Sequence, residues 1–188
     1  MKLVLATRNA HKLREFEGLL APHAIVELPA DVELPPETAD TFAHNALEKA
    51  RTAARATGLP AIADDSGIQS QALGGAPGVR SARYAGEDAT DEQNLAKLLH
   101  EAPAGSPLAY VCALAYVDGA GGEHVVEGRC TGTLASRPRG DGGFGYDPAF
   151  LPDDIGDGRT MAQLGADEKD AISHRGRAAR ELLTLLDS

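Results

Sequence analysis

The chain has 188 residues, a formal net charge of −10 and 43% hydrophobic residues. This length fits one domain with an ordinary core, and an acidic chain lacks the basic face with which proteins bind nucleic-acid polymers. No apolar run is long enough to span a membrane, and the start of the chain, MKLVLATRNAHK, turns polar too soon for a signal peptide. We therefore expect a cytoplasmic protein that binds neither a nucleic-acid polymer nor a membrane.

Strand-like and helical patterns alternate in the first part of the chain. Residues 2–6 predict a strand, and the apolar spacing over residues 11–21 predicts a helix. The alanine-rich stretch 41–57 predicts a longer helix, which Thr41 or the aspartate before it caps and Gly58 ends. A strand followed by helices in this way is typical of α/β proteins.

The stretch DDSG, Asp64–Gly67, follows an apolar strand predicted over residues 60–64. Asp, Ser and Gly all favour turns, so one interpretation is a polar strand end at which Ser66 and Gly67 turn the chain away. The other interpretation is a metal or general-base site at the carboxyl end of this strand. The four residues alone leave both interpretations open.

The second half of the chain predicts further strands and helices. A helix over residues 90–102 begins after its cap Thr90, and two strands over residues 108–118 and 123–134 form a hairpin around a glycine-rich turn. The chain ends in a helix capped by Ser173. Mixed helices and strands with one hairpin predict an α/β protein with a mixed sheet.

A polar segment, TRNAHK, joins the first strand to the first helix at residues 7–12. Backbone N–H groups at a helix start, with basic side chains beside them, form an anion site suited to phosphate. The segment lacks the glycine spacing of a Walker loop. The alternative is an ordinary helix start capped by Asn9, and the segment alone is compatible with both.

Two later segments carry groups suited to a flat polar ligand. In GDGGFGYDPAF, residues 140–150, Phe144 could stack on a base beside a backbone made flexible by glycine. In EKDAISHRG, residues 168–176, one lysine, one histidine and one arginine surround a helix start. The alternatives are a glycine-rich turn with core aromatic residues and a solvated helix entry.

Six motifs in this order resemble the inosine triphosphate pyrophosphatase family over essentially the whole chain. The motifs are LATRNAHK, TFAHNALEKA, IADDSG, LGGAPGVRSARYAG, GGFGYDPAF and AISHRG. The resemblance implies one domain over residues 1–188, with an elongated mixed β-sheet, flanking helices and two lobes around a central cleft. It also implies a homodimer that depends on Mg²⁺.

The activity implied by the resemblance is hydrolysis of noncanonical purine nucleoside triphosphates to the monophosphate and pyrophosphate. The substrates would be the triphosphates of inosine, deoxyinosine and xanthosine, and Asp65 would activate water. The residues implied to bind the triphosphate are Thr7, Arg8, Asn9, Ala10, His11 and Lys12, and Ser66 would touch the substrate. The residues implied to line the base pocket are Phe144, Gly145, Tyr146, Asp147, Lys169, His174 and Arg175.

The metal ligands implied by the resemblance are Asp65, Glu37 and Asp64. The family places an acidic pair shortly before TF, whereas this chain reads LPPETADTF, with Pro36 in place of one acid. Adjacent residues of a continuing strand point to opposite faces, so Asp64 and Asp65 can both serve one site only if the strand bends there.

Two other functions compete with this hypothesis. A related nucleotide pyrophosphatase of the septum-formation type would act on other bases, and the base-side motifs FGYD and SHRG count against it. A nucleotide sensor without catalysis would not need the paired acids Asp64 and Asp65 together with Lys12. We expect an assay of nucleoside triphosphates with Mg²⁺ to separate these three functions.

Overall fold

The computed structural model describes residues 1–187 and contains eleven regular helices and strands in this part of the chain. The strands are β1 (Lys2–Leu5), β2 (Ala24–Glu27), β3 (Ala61–Ser70), β4 (Pro107–Val117), β5 (Glu123–Leu134) and β6 (Phe150–Pro152). The helices are α1 (Ala10–Leu19), α2 (Phe42–Thr57), α3 (Asp91–Glu101), α4 (Ala166–Ile172) and α5 (His174–Leu186). Within residues 1–187, no helix combines the length and apolar character needed to cross a membrane.

The six strands form one mixed sheet in the order β2-β1-β3-β4-β5-β6. Strand β1 is parallel to both β2 and β3, whereas β5 and β6 are antiparallel. The predicted α/β class with a mixed sheet is therefore confirmed. The short strands β2 and β6, of four and three residues, were not predicted.

The helix ends predicted from the sequence are confirmed where a cap defines them. Thr41 accepts a hydrogen bond from the backbone N–H of His44 and begins α2, which ends at Gly58. Thr90 and Gln93 form a reciprocal capping box at the start of α3. Such a cap stabilises a helix by about 1 kcal/mol and depends only on neighbouring residues, which is why it can be recognised in a sequence.

The turn predicted at Ser66 and Gly67 is wrong, because β3 continues without interruption to Ser70. Gly67 is needed for close packing instead. A Cβ atom on Gly67 would lie 2.4 Å from both the carbonyl oxygen of Gly78 and Oγ of Ser81. Ser81 also accepts a hydrogen bond of 2.8 Å from the backbone N–H of Ile68. The small residue therefore lets a 3₁₀ helix, Gly78–Arg83, lie against the strand.

The chain divides into two compact units, each with its own hydrophobic core. Unit 1 contains residues 1–65, 112–128 and, within the described chain, 175–187, and its core includes Phe16, Leu114 and Leu182. Unit 2 contains residues 66–111 and 129–174 and is built around residues such as Leu98 and Phe150. The predicted arrangement of two lobes around a central cleft stays a prediction.

Candidate active site

The predicted phosphate segment, residues 7–12, begins α1 in unit 1. Asn9 caps the helix, since its Oδ1 accepts hydrogen bonds from the backbone N–H groups of His11 (2.9 Å) and Lys12 (3.3 Å). The guanidinium of Arg8 donates to the carbonyl oxygens of Leu28 and Val32, both at 2.7 Å. The capped helix start is thus confirmed, and Arg8 holds the segment after β2 in place.

Lys12 connects this segment to the paired aspartates. Its Nζ lies 2.9 Å from Oδ2 of Asp64, whose side chain is only 1% exposed. Nε of Arg175 lies 3.4 Å from the same oxygen, and Nη1 of Arg175 lies 3.1 Å from Oε2 of Glu15. Burial alone would raise the pKa of Asp64, but the positive charges of Lys12, Arg175 and Lys49 outweigh it and hold this pKa well below its usual range. Asp64 is therefore a buried anion between cations.

Helix α2 contributes two polar residues that sequence reasoning missed. Asn45 donates a hydrogen bond of 2.8 Å to Oδ2 of Asp65, and its own Oδ1 accepts from the backbone N–H of Ala39 at 3.0 Å. Lys49 forms an ion pair with Glu37 and donates to the carbonyl oxygen of Asp64 at 2.7 Å. A signal for both was present, because Asn45 and Lys49 lie four residues apart among the buried alanines of the helix.

The pKa of Asp65 is higher than is usual for an aspartate. Burial raises its pKa, and the nearby negative charge of Glu37 raises it further, whereas Lys49 and the hydrogen bond from Asn45 oppose the change. The resulting pKa is about 6. We call Asp65 and its surroundings the acidic cluster of unit 1. Its members are Lys12, Glu37, Asn45, Lys49, Asp64, Asp65 and Arg175.

The carboxylates of Asp65 and Glu37 are oxygen ligands of the type that could hold a hard cation such as Mg²⁺. Burial raises the pKa of Asp65, and the negative charge of Glu37 raises it further. Proteins usually hold Mg²⁺ through one or two carboxylates together with waters and substrate phosphates, and not through a complete set of protein ligands. In residues 1–187, no group of three or more His, Cys, Asp and Glu side chains is arranged to hold a metal.

Four of the predicted base-pocket residues come together in unit 2. Asp147, which is 3% exposed, accepts hydrogen bonds on Oδ2 from Nζ of Lys169 (2.9 Å) and from the backbone N–H of Phe144 (3.1 Å). Nζ of Lys169 also lies 5.3 Å from the centroid of the Phe144 ring. Gly143 permits this arrangement, since a Cβ atom there would lie 2.0 Å from Oδ2 of Asp147.

Tyr110 of β4 joins the same group and was also missed by sequence reasoning. Its hydroxyl donates to Oδ1 of Asp147 at 3.0 Å, and its ring stacks on His174 with 4.6 Å between ring centroids. No sequence signal marked it, because Tyr110 lies within a strand that is buried almost throughout. We call this group the aromatic cluster of unit 2. Its members are Tyr110, Phe144, Asp147, Lys169 and His174.

Four predicted site residues lie outside the aromatic cluster. Arg175 belongs to the acidic cluster of unit 1, although the sequence placed it with the base-pocket residues. The hydroxyl of Tyr146 donates to the carbonyl oxygen of Ser81 at 2.7 Å, and its ring is part of the core of unit 2. The backbone N–H of Gly145 donates to Asp91 at 2.9 Å. Ser66 follows Asp65 in β3 and is partly buried.

The mixed α/β fold is shared with a known class of proteins. The model of the Ham1 family matches residues 3–185. A HAM1 protein from Coxiella burnetii has a solved structure with a TM-score of 0.87 and 40% sequence identity, covering 100% of this chain and 98% of that one. A structure titled nucleoside-triphosphatase / dITP/XTP pyrophosphatase, from Mycobacterium abscessus, has a TM-score of 0.75 and 45% identity, covering 97% and 99%.

Similar sequences carry the same description. A dITP/XTP pyrophosphatase from Frankia alni is 53% identical, covering 99% of this chain and 97% of the relative. One from Mycobacterium tuberculosis is 50% identical, covering 100% and 96%. The chain therefore belongs to the Ham1 family. The family resemblance predicted from the six sequence motifs is confirmed.

Proposed function

We propose that the protein is a nucleoside triphosphate pyrophosphatase that hydrolyses noncanonical purine nucleoside triphosphates to the monophosphate and pyrophosphate. The relatives named dITP/XTP pyrophosphatase support this activity. The observation that carries the proposal is Asp65, a buried carboxylate oriented by Asn45 whose pKa is about 6. A buried carboxylate that one amide donor holds in place is suited to take a proton from water.

The acidic cluster supports a role in binding and cleaving the triphosphate. Water attacking the α-phosphorus requires a base and stabilisation of negative charge, and little covalent chemistry from the protein. Asp65 would accept the proton, while the side chain of Lys12 would contact the phosphates. Pyrophosphate would then leave with its charge balanced by positive groups around it.

The charges of the cluster support a need for Mg²⁺. Its three cations, Lys12, Lys49 and Arg175, are already paired with carboxylates. A triphosphate adds about four negative charges, which these paired cations cannot neutralise. Pyrophosphatases of this kind are generally metal-dependent, and Asp65 and Glu37 would hold Mg²⁺. Asp64, the further predicted ligand, is less suited, because β3 continues past it without a break and its carboxylate is already paired with Lys12 and Arg175. When bound, the ion supplies positive charge to the phosphate oxygens.

The aromatic cluster supports selection of the purine base. Phe144 offers a ring on which a base can stack, and Lys169 offers an N–H donor held by Asp147. Hypoxanthine and xanthine carry a 6-oxo acceptor, whereas adenine carries a 6-amino donor. Adenine would leave the buried donor unpaired, and such a mismatch can reduce the rate by several orders of magnitude. This selection separates the proposal from a pyrophosphatase that acts on other bases.

The experiment that tests the proposal is a panel of nucleoside triphosphates with Mg²⁺, in which pyrophosphate and orthophosphate are measured separately. We expect rapid release of pyrophosphate from the triphosphates of inosine, deoxyinosine and xanthosine, and slow release from ATP. Release of orthophosphate would contradict cleavage between the α and β phosphates. Binding without any hydrolysis would favour a sensor. The homodimer and the cytoplasmic location stay predictions.

A further inference from the structure

Tyr110 contacts two of the groups assigned above to base selection. Its hydroxyl donates to Oδ1 of Asp147, and its ring is stacked on His174 with only 7° between the ring planes. We propose that Tyr110 is a positioning residue for base recognition, which fixes the carboxylate of Asp147 and the imidazole of His174 relative to each other. This inference rests on the proposed function of the aromatic cluster.

The hydrogen bonds of Asp147 explain why the tyrosine hydroxyl matters. Oδ2 accepts from Lys169 and from the backbone N–H of Phe144, while Oδ1 accepts from Tyr110. An ionised carboxylate only accepts hydrogen bonds, so Tyr110 must be the donor. With the plane of the carboxylate fixed at both oxygens, the direction in which Lys169 presents its ammonium is fixed as well.

The stacked ring restricts His174 in a similar way. A separation of 4.6 Å between nearly parallel rings leaves the imidazole little freedom to tilt. His174 is 3% exposed and is the first residue of α5, where the end of a helix could otherwise move. One side chain from a buried strand thus supports two groups that lie far apart in the sequence.

A purely structural role is the alternative for Tyr110. Its ring also lies 4.7 Å from that of Phe150, at an angle of 45°, within the core of unit 2. A core residue would affect stability and would change the rates with all nucleotides alike. A positioning residue would change the preference for one base over another. The two roles therefore differ in a measurable quantity.

The test compares Tyr110→Phe with the wild-type protein. The substitution keeps the ring, its stack on His174 and its place in the core, and removes only the hydroxyl. We expect KM for inosine triphosphate to rise about tenfold, the scale of one buried hydrogen bond to a charged group. The value of kcat should change less than about twofold, because the acidic cluster is unaltered. The preference for inosine triphosphate over ATP should fall with kcat/KM.

Tyr116→Phe is the matched control. Tyr116 lies in the same strand, stacks on His124 in unit 1 and contacts neither cluster through any bond described above. It should retain the wild-type KM and base preference, with thermal melting measured for both variants. The role of Tyr110 would be overturned if Tyr110→Phe kept the wild-type preference for inosine triphosphate over ATP. It would also be overturned if the variant lost kcat/KM equally with every nucleotide and had a lower Tm. A wild-type protein that does not prefer inosine triphosphate would instead overturn the proposed function.

Discussion

The acidic and aromatic clusters are each centred on a buried aspartate, but the two aspartates are held in opposite ways. Asp147 accepts three hydrogen bonds, one of them from Lys169, so its charge is well compensated. Asp65 is held by Asn45 close to Glu37, and burial and repulsion raise its pKa to about 6. A carboxylate held by three donors suits a rigid binding surface, whereas one whose pKa is raised by burial and by a neighbouring carboxylate suits proton transfer and metal binding.

Among the changes that separate the two clusters, removal of the metal should reduce activity most. With excess chelator, hydrolysis of inosine triphosphate should be abolished, because the paired cations of the acidic cluster cannot balance a triphosphate. Addition of Mg²⁺ should restore it. The measurement is pyrophosphate release during such a titration, and full activity in chelator would show that Asp65 and Glu37 do not form a metal site.

Asp65→Asn should reduce turnover by about 10²-fold or more, the scale of the loss of a general base. The amide preserves the size of the side chain, so circular dichroism should show an intact fold. Steady-state hydrolysis of inosine triphosphate is the measurement. A folded variant with near-normal turnover would mean that Asp65 does not activate water.

Asp64→Asn should act mainly on stability. The substitution leaves Lys12 and Arg175 without their shared buried anion, and breaking a buried ion pair in this way costs about 3 kcal/mol. Denaturant unfolding measures this loss, and Asp65→Asn serves as the comparison. Equal stability of the Asp64→Asn variant and the wild type would show that the pairs with Lys12 and Arg175 contribute little.

A smaller effect should appear in the pH dependence of stability. The pKa of Asp65 is about 6 in the folded protein and 3.8 in the unfolded reference, so the folded state binds more protons between these values. The stability linked to Asp65 is therefore fully present below about pH 4 and is lost as the pH rises through about 6.

The asparagine in Asp65→Asn has no ionisable group, so the variant should not lose this stability as the pH rises. In chelator, we expect the Tm of Asp65→Asn relative to the wild type to rise by about 5 to 10 °C between pH 4 and pH 8. Melting curves across this range provide the measurement, with Asp64→Asn as the control for a substitution of the neighbouring aspartate. A constant difference in Tm would show that the pKa of Asp65 is not raised.

Local features of the fold could be predicted from the sequence, and long-range contacts could not. Thr41 and Gly58 define the ends of α2 through neighbouring residues alone. The turn expected at Ser66 was wrong, because the small side chain of Gly67 is needed for packing against a distant segment. Arg175 reaches Asp64 across 111 positions, a pairing that no local pattern encodes.

For the candidate site as well, the sequence identified residues within motifs and missed residues defined by long-range contacts. The family motifs pointed to Asp65, Asp147 and Lys169, which lie at the centres of the two clusters. The supporting residues Asn45 and Tyr110 were missed, since each lies in a buried helix or strand and shows its role only through the partner of its polar group. Polar side chains at buried positions of regular elements are therefore the signal to examine in related sequences.

The most direct test of the division between the clusters is the ratio of kcat/KM for inosine triphosphate to that for ATP, in Lys12→Ala and Lys169→Met. Lys12 is assigned to the phosphates, so Lys12→Ala should weaken both substrates equally and leave the ratio at the wild-type value. Lys169→Met removes the donor assigned to the 6-oxo group and should lower the ratio by about 10²-fold or more. An equal ratio in both variants, or a loss of preference confined to Lys12→Ala, would contradict the account.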